Sequence, residues 1–192
     1  MHPLHKFAHC PACGSHHFTV NNAKSKHCPD CGFTYYANPS AATAAFILRD
    51  DCLLVARRAN NPARGTLDLP GGFVDMDETA EDGMRREILE ETGLEVQGLQ
   101  YLFSLPNLYD YSGMTIHTLD MFFLADIAPD AVPCAADDAA ELAWLPLSGV
   151  HPEDFGLFSI RRAISHFITY MRAKGKNHTD PRQDGQTTAE KR

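Results

Sequence analysis

The sequence predicts an α/β (α+β) fold, a layered domain of sheet and helices that carries a small cysteine-rich ribbon at its front. Three observations lead there. Strand-like and helix-like segments alternate over residues 37–173, residues 1–36 hold two CxxC pairs but no periodic apolar pattern, and residues 174–192 (KGKNHTDPRQDGQTTAEKR) are polar and aperiodic. The chain therefore divides into a ribbon that cannot build its own core, a core-forming domain, and a tail expected to be disordered.

Composition sets the bounds. With 192 residues, 44% hydrophobic and 22% charged, there is material for one good core and a small appendage. The opening MHPLHKFAHC lacks the apolar run of a signal peptide, and the longest nearly apolar stretch, AATAAFIL, is too short for a bilayer. A cytoplasmic chain without a membrane partner is expected. Its formal charge of −8 opposes nucleic acid and favours small, metal-bridged partners. From Asp68 to Glu95, ten acids against two bases give −8, as much as the whole chain carries.

In the ribbon, CPAC (Cys10, Cys13) and CPDC (Cys28, Cys31) are each followed by glycine, Gly14 and Gly32. Two such pairs supply four thiolates, the tetrahedral set that Zn²⁺ favours, and glycine eases the turn that curls backbone around a sulfur. The 14-residue spacer falls just under the usual about 15–20. A disulfide reading competes, but reduced thiols are expected in the absence of a secretion signal, which favours zinc. Four thiolates close the coordination sphere, so this zinc would be structural. Six histidines at or before His27 are read as solvent-facing, and Cys52 and Cys134 as buried thiols.

Next, AATAAFILRD and CLLVARR read as strands joined by the polar turn Arg49-Asp50-Asp51, and LDLPGGFVD as a short strand running into glycines. Thr79 and Asp82 have capping-box spacing, acids fill the following turn, Ala80, Met84 and Ile88 form an apolar stripe, and Gly93 suits the position past the end. Residues 79–92 are thus predicted to be a helix. Gly83 inside it costs about 1 kcal/mol relative to alanine, which points to close packing there. Near the end, Ile160, Ile164, Phe167, Ile168 and Met171 recur at helical spacing, a stripe for the core or a dimer surface.

The 79–92 helix poses a puzzle, because Glu87, Glu90 and Glu91 share one face, where like charges repel. Its surroundings, GFVDMDETAEDGMRREILEETGL from Gly72 to Leu94, fit G-x5-E-x7-R-E-U-x-E-E-x-G-U at every fixed position, U being a bulky aliphatic. That pattern is the signature box of the Nudix hydrolases. With its ribbon the chain resembles the branch containing the NADH pyrophosphatases, over roughly residues 10–170. The resemblance implies a Nudix α/β/α sandwich with a mixed sheet. It also implies that Glu87, Glu90 and Glu91 hold Mg²⁺ or Mn²⁺, one serving as general base, that Gly71 offers its carbonyl to the metal, and that Glu78 and Arg86 form a bracing ion pair. The chemistry agrees: diphosphate hydrolysis joins a polyanion to a water, and hard dications bridge phosphate oxygens and acidify that water. A merely solvated acidic face is the plainer reading of three glutamates, and the intact box outweighs it.

A further acid is expected from a later segment. Glu141, in AAELAWLPL, resembles the glutamate before a Trp-containing strand in that branch, as an added ligand or base; its plain role is a surface charge beside Trp144, and Asp137 and Asp138 compete. NADH pyrophosphatases carry SQPWPFPxS downstream of the box, where this chain has SLPNLYDYS, Ser104 to Ser112. Ser104, Pro106 and Ser112 agree and Tyr109 replaces an aromatic, while the other positions depart, so NADH itself is not assigned. Tyr109 and Tyr111 either stack a nucleobase or pack a hairpin turned by Asp110 and Gly113. The expected activity is metal-dependent cleavage of the diphosphate bridge in a nucleoside diphosphate linked to another moiety, such as NADH, ADP-ribose or FAD. Two alternatives are a nucleotide-sensing Nudix domain, which would be expected to have an eroded box, and a zinc-ribbon RNA-binding protein acting on capped RNA, for which the ribbon has few bases. The resemblance also suggests a homodimer.

Overall fold

The computed structural model describes residues 1–136 and 139–176. The ribbon is an antiparallel sheet of β1 (Thr19–Asn22), β2 (Ser25–His27) and β3 (Thr34–Tyr36). Its buried cluster is only Cys10, Phe18 and Cys28, with Phe7 and Phe33 against them. That is too little apolar burial to hold such a unit alone, as the sequence suggested.

The larger sheet holds β4 (Ser40–Arg49), β5 (Cys52–Arg58), β6 (Leu67–Asp68), β7 (Val96–Tyr111), β8 (Met114–Ile127) and β9 (Ala139–Pro146), ordered β6-β5-β4-β8-β7 with β9 also paired to β5. β4 and β8 run parallel and the other pairs antiparallel, so the sheet is mixed. β4 is apolar on both faces because each is covered by a helix. Ala45 and Ile47 meet Met84 and Ile88 of α1 (Ala80–Thr92), while Ala44 and Phe46 meet Ile160, Ile164 and Phe167 of α2 (Phe158–Lys176). Phe46 and Phe167 stack with ring centres 3.9 Å apart. The result is the expected α/β/α sandwich, and the apolar stripe of α2 is core.

β4 and β5 pair only at Leu48↔Leu53 and Arg49↔Cys52, then diverge. Residues 70–74 run beside β4 instead, with the Thr43 and Ala45 amides donating to Gly72 and Pro70 carbonyls at 2.8 and 2.9 Å. A cleft opens between the diverging strands, floored by β7 and β8. β7 is an edge strand, where Pro106 removes no needed donor. Ser112 and Gly113 turn the chain into β8 with φ of 49° and 70°, the left-handed pair that a two-residue hairpin requires.

Two expectations change. Cys134 is exposed rather than buried, and Cys52 is only half-buried. The segment holding Cys134 lies over the end of α1, where the Cys134 and Ala136 amides donate to the Thr92 and Glu91 carbonyls at 2.8 and 3.1 Å, supplying partners the helix terminus lacks. α2 continues to Lys176, three residues into the stretch read as tail. The rest of that tail, with Asp137 and Asp138, lies outside the described residues. Among the described residues no helix is long and apolar enough to cross a membrane.

Candidate active site

α1 is fixed at both ends by its own sequence. The Thr79 hydroxyl accepts from the Asp82 amide at 3.1 Å and donates to the Asp82 carboxylate at 2.7 Å, while Gly93, at φ 68°, donates to the Leu89 carbonyl at 2.9 Å. A Cβ at Gly83 would stand 2.9 Å from Glu78 Oε2, so this glycine lets Glu78 lie against the helix. There Glu78 receives Arg86 in a bidentate pair, Nε to Oε1 and Nη2 to Oε2, both 3.0 Å. These bonds and the Asp75 amide hold the Glu78 carboxyl below its ordinary range. Arg86 also donates to the Phe73 carbonyl at 3.0 Å and, through Nη1, to Glu87 and Glu90 at 2.8 and 3.0 Å. One guanidinium thus braces the glycine loop against α1 and relieves part of the glutamate repulsion.

The other glutamate contacts come from the loop. Gly71 donates its amide to Glu91 at 3.0 Å. A Cβ at Gly71, where φ is 153°, would stand 2.1 Å from the Thr43 carbonyl oxygen, and one at Gly72 would stand 2.4 Å from Glu87 Oε1. The first glycine is demanded by the approach to β4, the second by a carboxylate seated against the backbone. Pro70 and Gly72 carbonyls serve β4, and the Gly71 carbonyl between them takes no part in that pairing. Asp75, Glu78, Glu87 and Glu90 lie within 4 Å of the one Arg86 guanidinium and Glu91 is held by Gly71, so the carboxylates outnumber the cation and offer hard oxygen donors suited to a small dication. Among the described residues only the cysteine sulfurs converge within 4.8 Å; Arg86 and Gly71 hold the glutamates in their present places, and one ion bound by all three would draw them together.

The ribbon's sulfurs fit a metal directly. Cys10 to Cys31 and Cys13 to Cys28 are each 3.7 Å apart, far beyond a disulfide bond and close to the about 3.8 Å edge of a tetrahedron with about 2.3 Å metal–sulfur bonds. Both loops are built alike: the Cys10 amide donates to Ser15 and Gly14 donates back to Cys10, as Cys28 does to Phe33 and Gly32 to Cys28, all at 2.8 Å. Burial pushes the Cys10 thiol up, but backbone and sulfur hydrogen bonds prevail and bring it down to about 7. The Ser15 backbone hydrogen bond would lower the neighbouring Cys13, but the other sulfurs and burial together outweigh it and push it up to about 12.

Glu141 sits on β9. It faces Arg57 across β9 and β5 and pairs with it at 3.2 Å in an exposed position. By strand alternation it shares the side of Ala143 and Leu145, which pack toward α2. Tyr109 lines the cleft, edge-on to Phe73 at 5.6 Å, with its hydroxyl accepting from Arg58 at 3.4 Å. Tyr111, at the hairpin's end, is exposed and does not line the cleft. The ion pair of half-buried Arg58 with buried Asp68 forms a cleft wall that sequence reading missed. Burial pushes the Asp68 carboxyl up; it would also pull Arg58 down, but the Asp68 charge beside the guanidinium outweighs this and pushes it up. The one available sequence signal was a charge at each end of the β5–β6 connection.

The description of the NUDIX domain matches residues 38–167. The chain belongs to the NUDIX family. An ADP-ribose pyrophosphatase of Methanocaldococcus jannaschii is 36% identical over 120 residues, 62% of this chain and 68% of that protein. The NAD-capped RNA hydrolase NudC of Klebsiella pneumoniae is 32% identical over 140 residues, 73% of this chain but 51% of that protein, so the chain spans about half the length of such relatives. The fold is shared with a NUDIX hydrolase from Nitrosomonas europaea (TM-score 0.66, 22% identity, 90% of this chain and 94% of that one). It is also shared with the NUDIX domain of Shewanella oneidensis NrtR, solved with ADP ribose (TM-score 0.59, 20% identity, 71% and 90%). In this member of the family, α1 and its glycine loop carry the box read in the sequence from Gly72 to Leu94.

Proposed function

We propose that this NUDIX protein hydrolyses the diphosphate bridge of a nucleoside diphosphate linked to another moiety, with ADP-ribose and NAD-type dinucleotides as the substrate class. Residues 1–36 would form a structural zinc ribbon and residues 37–173 the hydrolase, acting on cytoplasmic nucleotides as a homodimer. The observation that carries the reading is the intact arrangement around Arg86, in which Glu78, Glu87 and Glu90 meet one guanidinium and Glu91 is held by Gly71 beside an open cleft.

Glu87, Glu90, Glu91 and the Gly71 carbonyl would hold Mg²⁺ or Mn²⁺, which offsets phosphate charge and acidifies water. Arg86 and Glu78 keep the loop and α1 in register. One of the three glutamates takes the proton of the attacking water. The water oxygen bonds to phosphorus as the bridging P–O bond breaks, giving a nucleoside monophosphate and a second phosphate ester. Tyr109 and Phe73 offer an aromatic wall for a ring of the substrate. Glu141 would join only by leaving Arg57.

The test is release of AMP from ADP-ribose, NAD⁺ and NADH with Mg²⁺ or Mn²⁺. Cleavage by the wild type that is abolished in Glu91→Gln and kept in Glu141→Gln places the chemistry on α1. Equal loss in both variants brings Glu141 into it, and silence toward every diphosphate contradicts the proposal.

A further inference from the structure

Glu91 is the next-to-last residue of α1, in the turn where a helix runs out of its own hydrogen-bond partners and frays first. Its carboxylate meets the Gly71 amide at 3.0 Å, yet what steadies the backbone beneath it comes from elsewhere. Residues 128–136, which leave β8, cross the helix end, where the Ala136 and Cys134 amides donate to the Glu91 and Thr92 carbonyls at 3.1 and 2.8 Å. That segment buries little of itself. Val132 is 82% exposed, Cys134, Ala135 and Ala136 are exposed, and Ala131 is the one residue of the segment that packs against the apolar cluster beneath α1. Arg49, at the end of β4, fastens it there, because its Nη2 donates to the Ala131 carbonyl, 82 residues away in the chain. The guanidinium lies over the Trp144 ring, 4.5 Å from its centre. Its Nε is enclosed without a hydrogen-bond partner, and among the described residues it enters no ion pair. A cation whose partners are one carbonyl and one ring fixes geometry instead of balancing charge.

We propose that Arg49 is a positioning residue for Glu91. It holds residues 128–136 on the end of α1, their amides keep the last turn wound, and the wound turn keeps the Glu91 carboxylate beside Gly71. The inference rests on the hydrolytic reading for what Glu91 does there. Arg49 itself does not line the cleft, so it acts through Glu91 and not on a substrate. Glu87 and Glu90 depend on it less, because Arg86 grips both from within the helix.

The test compares the full chain as wild type, Arg49→Met and Arg49→Lys. Methionine keeps an apolar side chain against Trp144 but cannot donate, whereas lysine keeps a donor for the Ala131 carbonyl. Exchange of the Cys134 and Ala136 amides, followed by NMR, should quicken about tenfold or more in Arg49→Met. Mn²⁺ binding, followed by paramagnetic resonance, should weaken there, and kcat on ADP-ribose at saturating Mn²⁺ should fall about tenfold or more with KM unchanged, since a displaced ligand is felt in the chemical step while the cleft stays intact. Arg49→Lys should bring all three readouts to within about twofold of wild type. A merely structural contact would lower the melting midpoint and leave the three readouts of the folded protein where they were. In a Glu91→Gln background Arg49→Met should cost less than about twofold in kcat, because its route to the site is gone. Wild-type exchange rates in Arg49→Met overturn the proposal. So does quickened exchange with wild-type Mn²⁺ affinity and kcat, and so does a loss that persists undiminished in the Glu91→Gln background. A wild type silent toward every diphosphate overturns the hydrolytic reading alone, because amide exchange and Mn²⁺ affinity still decide whether Arg49 positions Glu91.

Discussion

Adding one carbon at Gly72 separates stability from chemistry. An alanine Cβ there would lie 2.4, 2.5 and 2.6 Å from Oε1, Cδ and Oε2 of Glu87, whereas ordinary contact starts at 3.4 Å, so the carboxylate must retreat by about 1 Å. Gly72 is not among the residues with positive φ, so alanine meets no backbone strain. What moves is the far end of a flexible side chain, and the cost to folding should stay near about 1 kcal/mol, partly offset by the about 0.4–1 kcal/mol that Gly→Ala gains by restricting the unfolded chain. For catalysis a displacement of about 1 Å can cost about 10²-fold. Initial rates on ADP-ribose across a Mn²⁺ titration, with thermal melts alongside, should show Gly72→Ala melting within about 4 °C of wild type while kcat falls about 10–100-fold. Wild-type turnover with unchanged metal dependence would refute the claim that the seat of Glu87 matters.

Glu91→Gln keeps an oxygen for the Gly71 amide, so turnover should drop about 10²–10⁴-fold with little change in melting, as paired kinetics and calorimetry would show. Arg86→Met leaves Glu78, Glu87 and Glu90 without their shared partner and should destabilise the chain by about 2–3 kcal/mol, read from urea unfolding. Cys28→Ser should remove one zinc per chain by elemental analysis and open residues 1–36 to proteolysis, since Cys10, Cys28 and three phenylalanines make up the ribbon's apolar cluster. The lowered Glu78 carboxyl contributes stability that is complete above about pH 4.3 and lost as pH falls through its folded value. Melting from pH 7 to 3 should therefore fall less steeply at the acid end in Glu78→Gln, which starts lower at pH 7.

The elements legible beforehand were those whose physics is local. Thr79, Asp82 and Gly93 mark the ends of α1 because caps act on the nearest turn, and the repeated CxxC-Gly units mark both sulfur loops for the same reason. The second stripe could be read as helix, but whether it faced core or partner depended on Phe46 and Phe122, which reach it from distant strands. Asn107, Thr118 and Asp120 look like solvent-facing strand residues in sequence; only the β7–β8 register and the start of α2 enclose them. The pairing of Glu141 with Arg57 was not legible, because the two lie 84 residues apart in the chain and meet only across β5 and β9. Cys134 misled because small neighbours suggest burial, while its role is set by the backbone that closes α1. Arg86 reaches Glu87 and Glu90 within one helical turn, where spacing permits the contacts but does not say which acid the guanidinium takes.

The most direct test is a Mn²⁺ titration followed by paramagnetic resonance, run on wild type and on a variant with Glu87, Glu90 and Glu91 all changed to glutamine. Bound manganese in the wild type, at least tenfold weaker in the variant and accompanied there by loss of ADP-ribose cleavage, is the expected result. Equal manganese binding by both proteins, or cleavage that persists without the three carboxylates, would contradict it.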